Sequence, residues 1–152
     1  MNKRILVIAA VLLIAVATAG FSQTFGIGGA FSLGAIGDLP SSVMLSLKVP
    51  AFPVVWGLGY NLGGGNFQLG LTADWWLYTA NLVSFINLYV GPGVYLALPQ
   101  NFDFGVRIPV GFNAYPIDVL ELFLEVAPTV TFLPSLGFST QAAFGFRFWF
   151  NT

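Results

Sequence analysis

Beyond residue 22 the chain repeats one pattern: apolar side chains at every second position, in eight stretches set apart by turn-forming residues. Successive side chains of an extended strand point to opposite faces, so each stretch has one strongly apolar face. The last stretch reads most clearly. Ala142, Phe144, Phe146, Phe148 and Phe150 share one face, and Gln141, Ala143, Gly145, Arg147 and Trp149 share the other. The same alternation runs through 25–35, 43–49, 54–62, 67–77, 88–98, 102–114 and 120–132. Turns are expected at 37–40, 50–53, 63–65, 79–87, 99–101, 115–118 and 134–137.

The charges decide which face looks where. Nine charged residues follow residue 22. Asp38 and Asp118 fall in expected turns, while Lys48, Asp74, Asp103, Arg107, Glu121, Glu125 and Arg147 all fall on the weakly apolar faces. Those faces otherwise carry mostly Gly, Ala, Ser and Thr. A soluble β-sandwich or lipocalin-like barrel also alternates, but its polar face must meet water, and this one is too small and too sparsely charged to do so. The chain is 57% hydrophobic and 7% charged, against roughly 25% charged in soluble domains, and its mean hydropathy is +0.83. The strongly apolar faces are therefore expected to meet lipid, where a misplaced Arg or Lys near the midplane would cost about 2–4 kcal/mol. Only helices and closed barrels satisfy their backbone groups inside a bilayer. No uninterrupted apolar run of about 20 residues follows residue 22. The pattern predicts an all-β fold: a transmembrane antiparallel up-and-down β-barrel of eight strands. Pro92, Pro109 and Pro128 fall inside these strands, where each removes a ladder hydrogen bond, so bulges are expected at all three.

Residues 1–22 have the layout of a secretory signal peptide. Lys3 and Arg4 precede a thirteen-residue apolar core from Ile5 to Ala17, with small-residue cleavage sites ending at Ala19 or Ser22. A retained anchor is the alternative, for which this core is short. The barrel then occupies 23–152, with three cations against six anions, a net charge of −3. That balance speaks against nucleic acid as a partner and leaves the lipid bilayer as the expected one. The chain has no Cys and no His. It therefore lacks disulfides, thiolate or imidazole metal sites and His-based catalytic arrangements. No catalytic residue, cofactor or metal is expected.

Eight strands enclose an interior that side chains just fill. Buried charges persist there when paired. Hairpins centred near 116–117 and near 136 would set Arg107 and Arg147 on either side of Glu125, with Glu121 two layers away. A hairpin centred near 82 would set Asp74 against Tyr89. Arg107, Glu125, Arg147, Glu121, Asp74 and Lys48 are the expected lumen network.

The last strand, Gly145-Phe146-Arg147-Phe148-Trp149-Phe150, together with the eightfold alternation, resembles the small eight-stranded outer-membrane β-barrels, the group of the OmpA transmembrane domain, OmpX and OmpW. The resemblance implies an outer-membrane location, both termini in the periplasm, and an assembly signal at Gly145, Phe148 and Phe150 read by the outer-membrane assembly machinery. Turns 50–53, 79–87 and 115–118 would then be periplasmic. Aromatic girdles are expected at both interfaces. Trp56, Trp75 and Phe112, with Phe25, Phe148 and Phe150, would form the periplasmic one, and Phe67, Phe102 and Phe132, with Phe138, the other. Such barrels carry ligand specificity on long outer loops, and those expected here, at 37–41, 63–65, 99–101 and 134–137, have only three to five residues. The expected role is a non-enzymatic barrel with a filled or very narrow lumen, structural or porin-like for small solutes. The alternatives are a carrier of a small apolar ligand or lipid entering where prolines interrupt pairing, and an outer-membrane lipid-modifying enzyme, which would have to work without His. The oligomeric state is left open.

Overall fold

The computed structural model describes residues 24–33, 41–50, 52–61, 69–98 and 102–150. The expected signal segment, Phe67 and the turns at 37–40, 63–65 and 99–101 lie outside the described residues. Among those described there are eleven strands: β1 (Phe25–Leu33), β2 (Ser41–Val49), β3 (Phe52–Asn61), β4 (Leu69–Trp75), β5 (Tyr78–Val83), β6 (Ile86–Val90), β7 (Gly93–Leu98), β8 (Asp103–Arg107), β9 (Val110–Ile117), β10 (Leu120–Leu133) and β11 (Gly137–Phe150). Every pairing is antiparallel. β1, β2, β3, β4, β7, β8, β10 and β11 pair in that order, and β11 returns to β1, closing a ring of eight. The seam pairs Phe25 with Phe150 through Leu33 with Ala142. Cross-strand rings stack on it, Phe25 on Phe150 at 5.3 Å and Phe31 on Phe144 at 5.5 Å.

Eleven strands make eight crossings because three crossings are broken. β4 and β5 separate at Trp76-Leu77, β6 and β7 at Gly91-Pro92, and β8 and β9 at Ile108-Pro109. At Pro92 and Pro109 the expected bulges are instead strand breaks. The one expected at Pro128 is absent, since β10 runs unbroken through it. Its missing N–H falls where β10 changes partner, from β9 up to Val126 to β8 from Thr129 onward. One line of bonds stitches the breaks together. Pro92 O accepts from Trp75 N (2.8 Å), Pro109 O from Gly91 N (3.3 Å) and Pro128 O from Ile108 N (3.0 Å). Each proline lacks a donor but spends its carbonyl on the preceding crossing, so the kinks share one level and the ring stays closed around them.

The stretch 79–87, expected as a turn, is a second correction. It is the β5–β6 hairpin with a turn of only Ser84 and Phe85, Ser84 having φ 41°. Tyr78 faces Val90 and Ala80 faces Leu88, so the apolar alternation continues through it. The Asn81 amide ties the turn by donating to Ser84 O (3.0 Å) and Asn87 Oδ1 (3.0 Å). The hairpin extends past the ring at the end that carries Phe25 and Phe150. It pairs onward with β9, which in turn pairs with the lower half of β10. The 115–118 turn is likewise shorter than expected, at Asp118-Val119.

Across the described strands the two faces separate as the alternation requires. Phe144 and Phe148 keep 47% and 45% of their surface while Arg147, between them, keeps 1%. Phe104, Val106, Phe112, Leu122, Leu124 and Val126 are also exposed. Asp74, Arg107, Glu121, Glu125 and Arg147 are buried. The ring has its charges inside and its hydrocarbon outside.

Candidate functional site in the ring interior

A rule of spacing governs the interior. Strands two apart in a sheet are separated by roughly 9–10 Å, a gap that two long side chains close only if the strand between them leaves room. Glycine leaves it. Asp74, Gly93 and Arg107 face one another in register on β4, β7 and β8, and Arg107 Nε reaches Asp74 Oδ1 (3.2 Å) across Gly93. Tyr89, Gly111 and Glu125 repeat the arrangement on β6, β9 and β10, with Tyr89 OH donating to Glu125 Oε2 (2.9 Å). Arg147, Gly28 and Ser46 do so across the seam, Arg147 Nε donating to Ser46 Oγ (2.8 Å). Tyr95 and Thr131 join by their hydroxyls across Gly105. A Cβ at Gly93 would meet Asp74 Oδ1, and one at Gly111 the Tyr89 ring.

The ionic groups fall into two clusters. In the first, Glu121 is wholly buried and is met by Lys48 (3.3 Å) and Arg147 (3.1 Å). It also accepts from Asn113 Nδ2 (2.7 Å) and Trp149 Nε1 (3.1 Å). The Lys48 ammonium sits 3.7 Å from the centre of the Trp76 ring, which is stacked 3.6 Å from Tyr89. The Arg147 guanidinium lies 4.0 Å from the centre of the Phe123 ring. Aromatic faces attract cations at these distances. In the second cluster Arg107 is held by Asp74 and Glu125, and its Nη1 donates to Gln141 Oε1 (2.8 Å).

All six expected network residues are brought into the interior, but not all with the expected partners. Glu125 does not stand between two arginines: it pairs with Arg107 and Tyr89, while Arg147 pairs with Glu121. The cause is register. Thr131 faces Gly137, so the β10–β11 hairpin centres on Pro134 rather than 136, and Glu121 lies directly opposite Arg147. Moving a hairpin centre by two residues moves every partner by four. Asp74 faces Gly93, not Tyr89, because the β4–β7 pairing is displaced in the same way. Asn113, Gln141, Ser46, Trp76 and Trp149 complete the network and were not expected there, and Tyr89, expected against Asp74, meets Glu125 instead. For Ser46 and Tyr89 the signal that could have found the partner is an inward glycine, Gly28 or Gly111, on the strand between two inward polar residues.

Between the clusters lies a void of about 30 Å³, room for about two waters at most. Arg147, Tyr89, Gln141 and Glu121 are fully buried around the axis. At the end carrying Phe25 and Phe150, under the β5–β6 hairpin, a half-enclosed recess of about 340 Å³ opens beside Lys48 and Trp76. No group of three or more acidic side chains among the described residues is placed to hold a metal ion.

The other expected site residues lie on the wall. Gly145 is on the inner face of β11, against the backbone of Gly29 and Ala30. Phe148 and Phe150 point outward from the same strand, and Trp75, Phe102, Phe112 and Phe132 are exposed on the outside, with Trp56 half-buried. Comparison with protein-family profiles, with curated proteins and with solved structures finds no match to this chain.

Proposed function

We propose that the chain is an integral outer-membrane β-barrel of structural role, with a lumen closed by its own side chains. One observation carries the reading: the exposed surface of the ring is apolar and its ionic groups are enclosed, which is the arrangement a bilayer favours and water penalises. The short β10–β11 connection, three residues between Leu133 and Gly137, offers little for ligand recognition on that rim. The filled axis favours a closed barrel over a porin-like one. Export through residues 1–22, periplasmic termini and docking of Gly145, Phe148 and Phe150 on the assembly machinery belong to the same proposal, as does the likeness to the OmpA, OmpX and OmpW group.

The refolded chain is expected to need detergent or lipid to remain dispersed, and to migrate on a gel as a compact band that slows only after boiling. A chain that stays dispersed in plain buffer, or migrates alike boiled and unboiled, would refute membrane residence. In planar bilayers the inserted protein is expected to be electrically silent. Regular conductance steps would replace the closed reading with a pore.

A further inference from the structure

We propose that the 340 Å³ recess is a binding site for a small organic carboxylate. The volume lies at the lower end of ligand-binding cavities. Lys48 is the only charged residue of its lining among the described residues. That cation has only a shared counter-ion: Lys48 and Arg147 meet a single carboxylate, Glu121, whereas Arg107 is flanked by two, Asp74 and Glu125. The interior thus holds a surplus positive charge beside the recess and a surplus negative charge deeper in the ring. One further anion at the recess balances the first cluster.

The walls say what kind of anion. Val49 and Val55 supply an apolar side, and Thr79 and Tyr115 a polar one. Trp76 Nε1 is buried in the same wall with no hydrogen-bond partner among the described residues. The indole is held between Tyr89 (3.6 Å) and the Lys48 ammonium (3.7 Å), so Lys48 is the anchor for an anion. A monoanion with a compact apolar body meets these conditions: its carboxylate on Lys48, its body against the valines. A doubly charged phosphate has no second cation among the described residues of the lining. The argument rests on the closed ring and not on where the ring resides, so it stands or falls apart from the membrane reading.

Benzoate and its neutral isostere benzamide are suitable probes, titrated calorimetrically into the refolded full chain with empty micelles as blank. Benzoate is expected to saturate at one per chain, and benzamide to bind about tenfold more weakly for want of the charge-assisted bond. Lys48→Met is expected to weaken benzoate by a similar factor while leaving benzamide unchanged; Glu121 keeps Arg147 in this variant. Thr79→Trp, at an exposed position on the projecting hairpin, is expected to block both probes with the compact gel band intact. Absence of saturable benzoate binding, equal affinity for the two probes, or wild-type binding in Thr79→Trp would overturn the site.

Discussion

Replacing Glu121 by alanine is expected to destabilise the ring by about 3–5 kcal/mol, the range found when one partner of a buried ionic group is removed and the rest is left uncompensated. Glu121 is wholly enclosed and is the acceptor shared by Lys48, Arg147, Asn113 and Trp149. Without it two cations remain at the end of β2 and on β11 with no carboxylate between them. Asn113 and Trp149 donate to different oxygens of Glu121, so Glu121→Gln keeps an acceptor for only one of them and is expected to fall in between. Glu125→Ala is the informative comparison. Arg107 still has Asp74 at 3.2 Å and Gln141 at 2.8 Å, so the loss should be nearer the 1–3 kcal/mol of an unsatisfied hydrogen-bonding group. Urea titration of the compact band measures all three. If Glu121→Ala and Glu125→Ala fell equally, or Glu121→Ala matched the wild type, the shared-acceptor account would be wrong.

That comparison also marks how far the sequence could be read. Outside 79–87, read as a turn, which face each residue occupies was legible along the expected strands, because a period of two has only two phases and seven charges on one of them leave little choice. Which residues meet was not legible, because partner identity depends on where each hairpin turns. Pro134-Ser135 and the short Ser84-Phe85 turn sit at the edges of segments that look equally turn-like over several residues. An error of two positions leaves every residue on its correct face and still gives Arg147 the wrong carboxylate. The prolines were half legible. A missing N–H predicts a broken ladder, and Pro92 and Pro109 stand at breaks. At Pro128 the neighbouring crossing is already broken at Ile108-Pro109, and β10 continues unharmed. The break at Trp76-Leu77 has no proline and no local signal. It follows from Trp76 bonding sideways to Pro53 O (2.9 Å) while Leu77 N turns back to Trp75 O (3.1 Å).

The inward glycines were read only as small residues, yet they set the geometry of the interior, and the second large effect tests this. Gly28→Ala is expected to cost about 3 kcal/mol, the upper part of the range for overpacking a closed interior. Its Cβ would overlap Phe146 O and come within 2.6 Å of Arg147 Cα, backbone atoms of the strand that closes the ring. A flexible side chain can swing away from such a contact, but a hydrogen-bonded strand can only separate. Separation at the β1–β11 seam exposes two strand edges at once, a state prone to pairing with other chains. The neighbouring substitution is the control. Gly29 faces outward, and a Cβ there meets nothing nearer than Met44 O at 3.8 Å, so Gly29→Ala should stay within about 0.5 kcal/mol of the wild type. The two variants add the same methyl to adjacent residues of one strand and differ only in what it meets. Refolding yield and urea midpoint of the compact band should fall for Gly28→Ala alone. A matched response in both would mean that glycine is used in β1 for chain flexibility, and the spacing rule drawn from Gly28, Gly93, Gly105 and Gly111 would lose its basis at the seam.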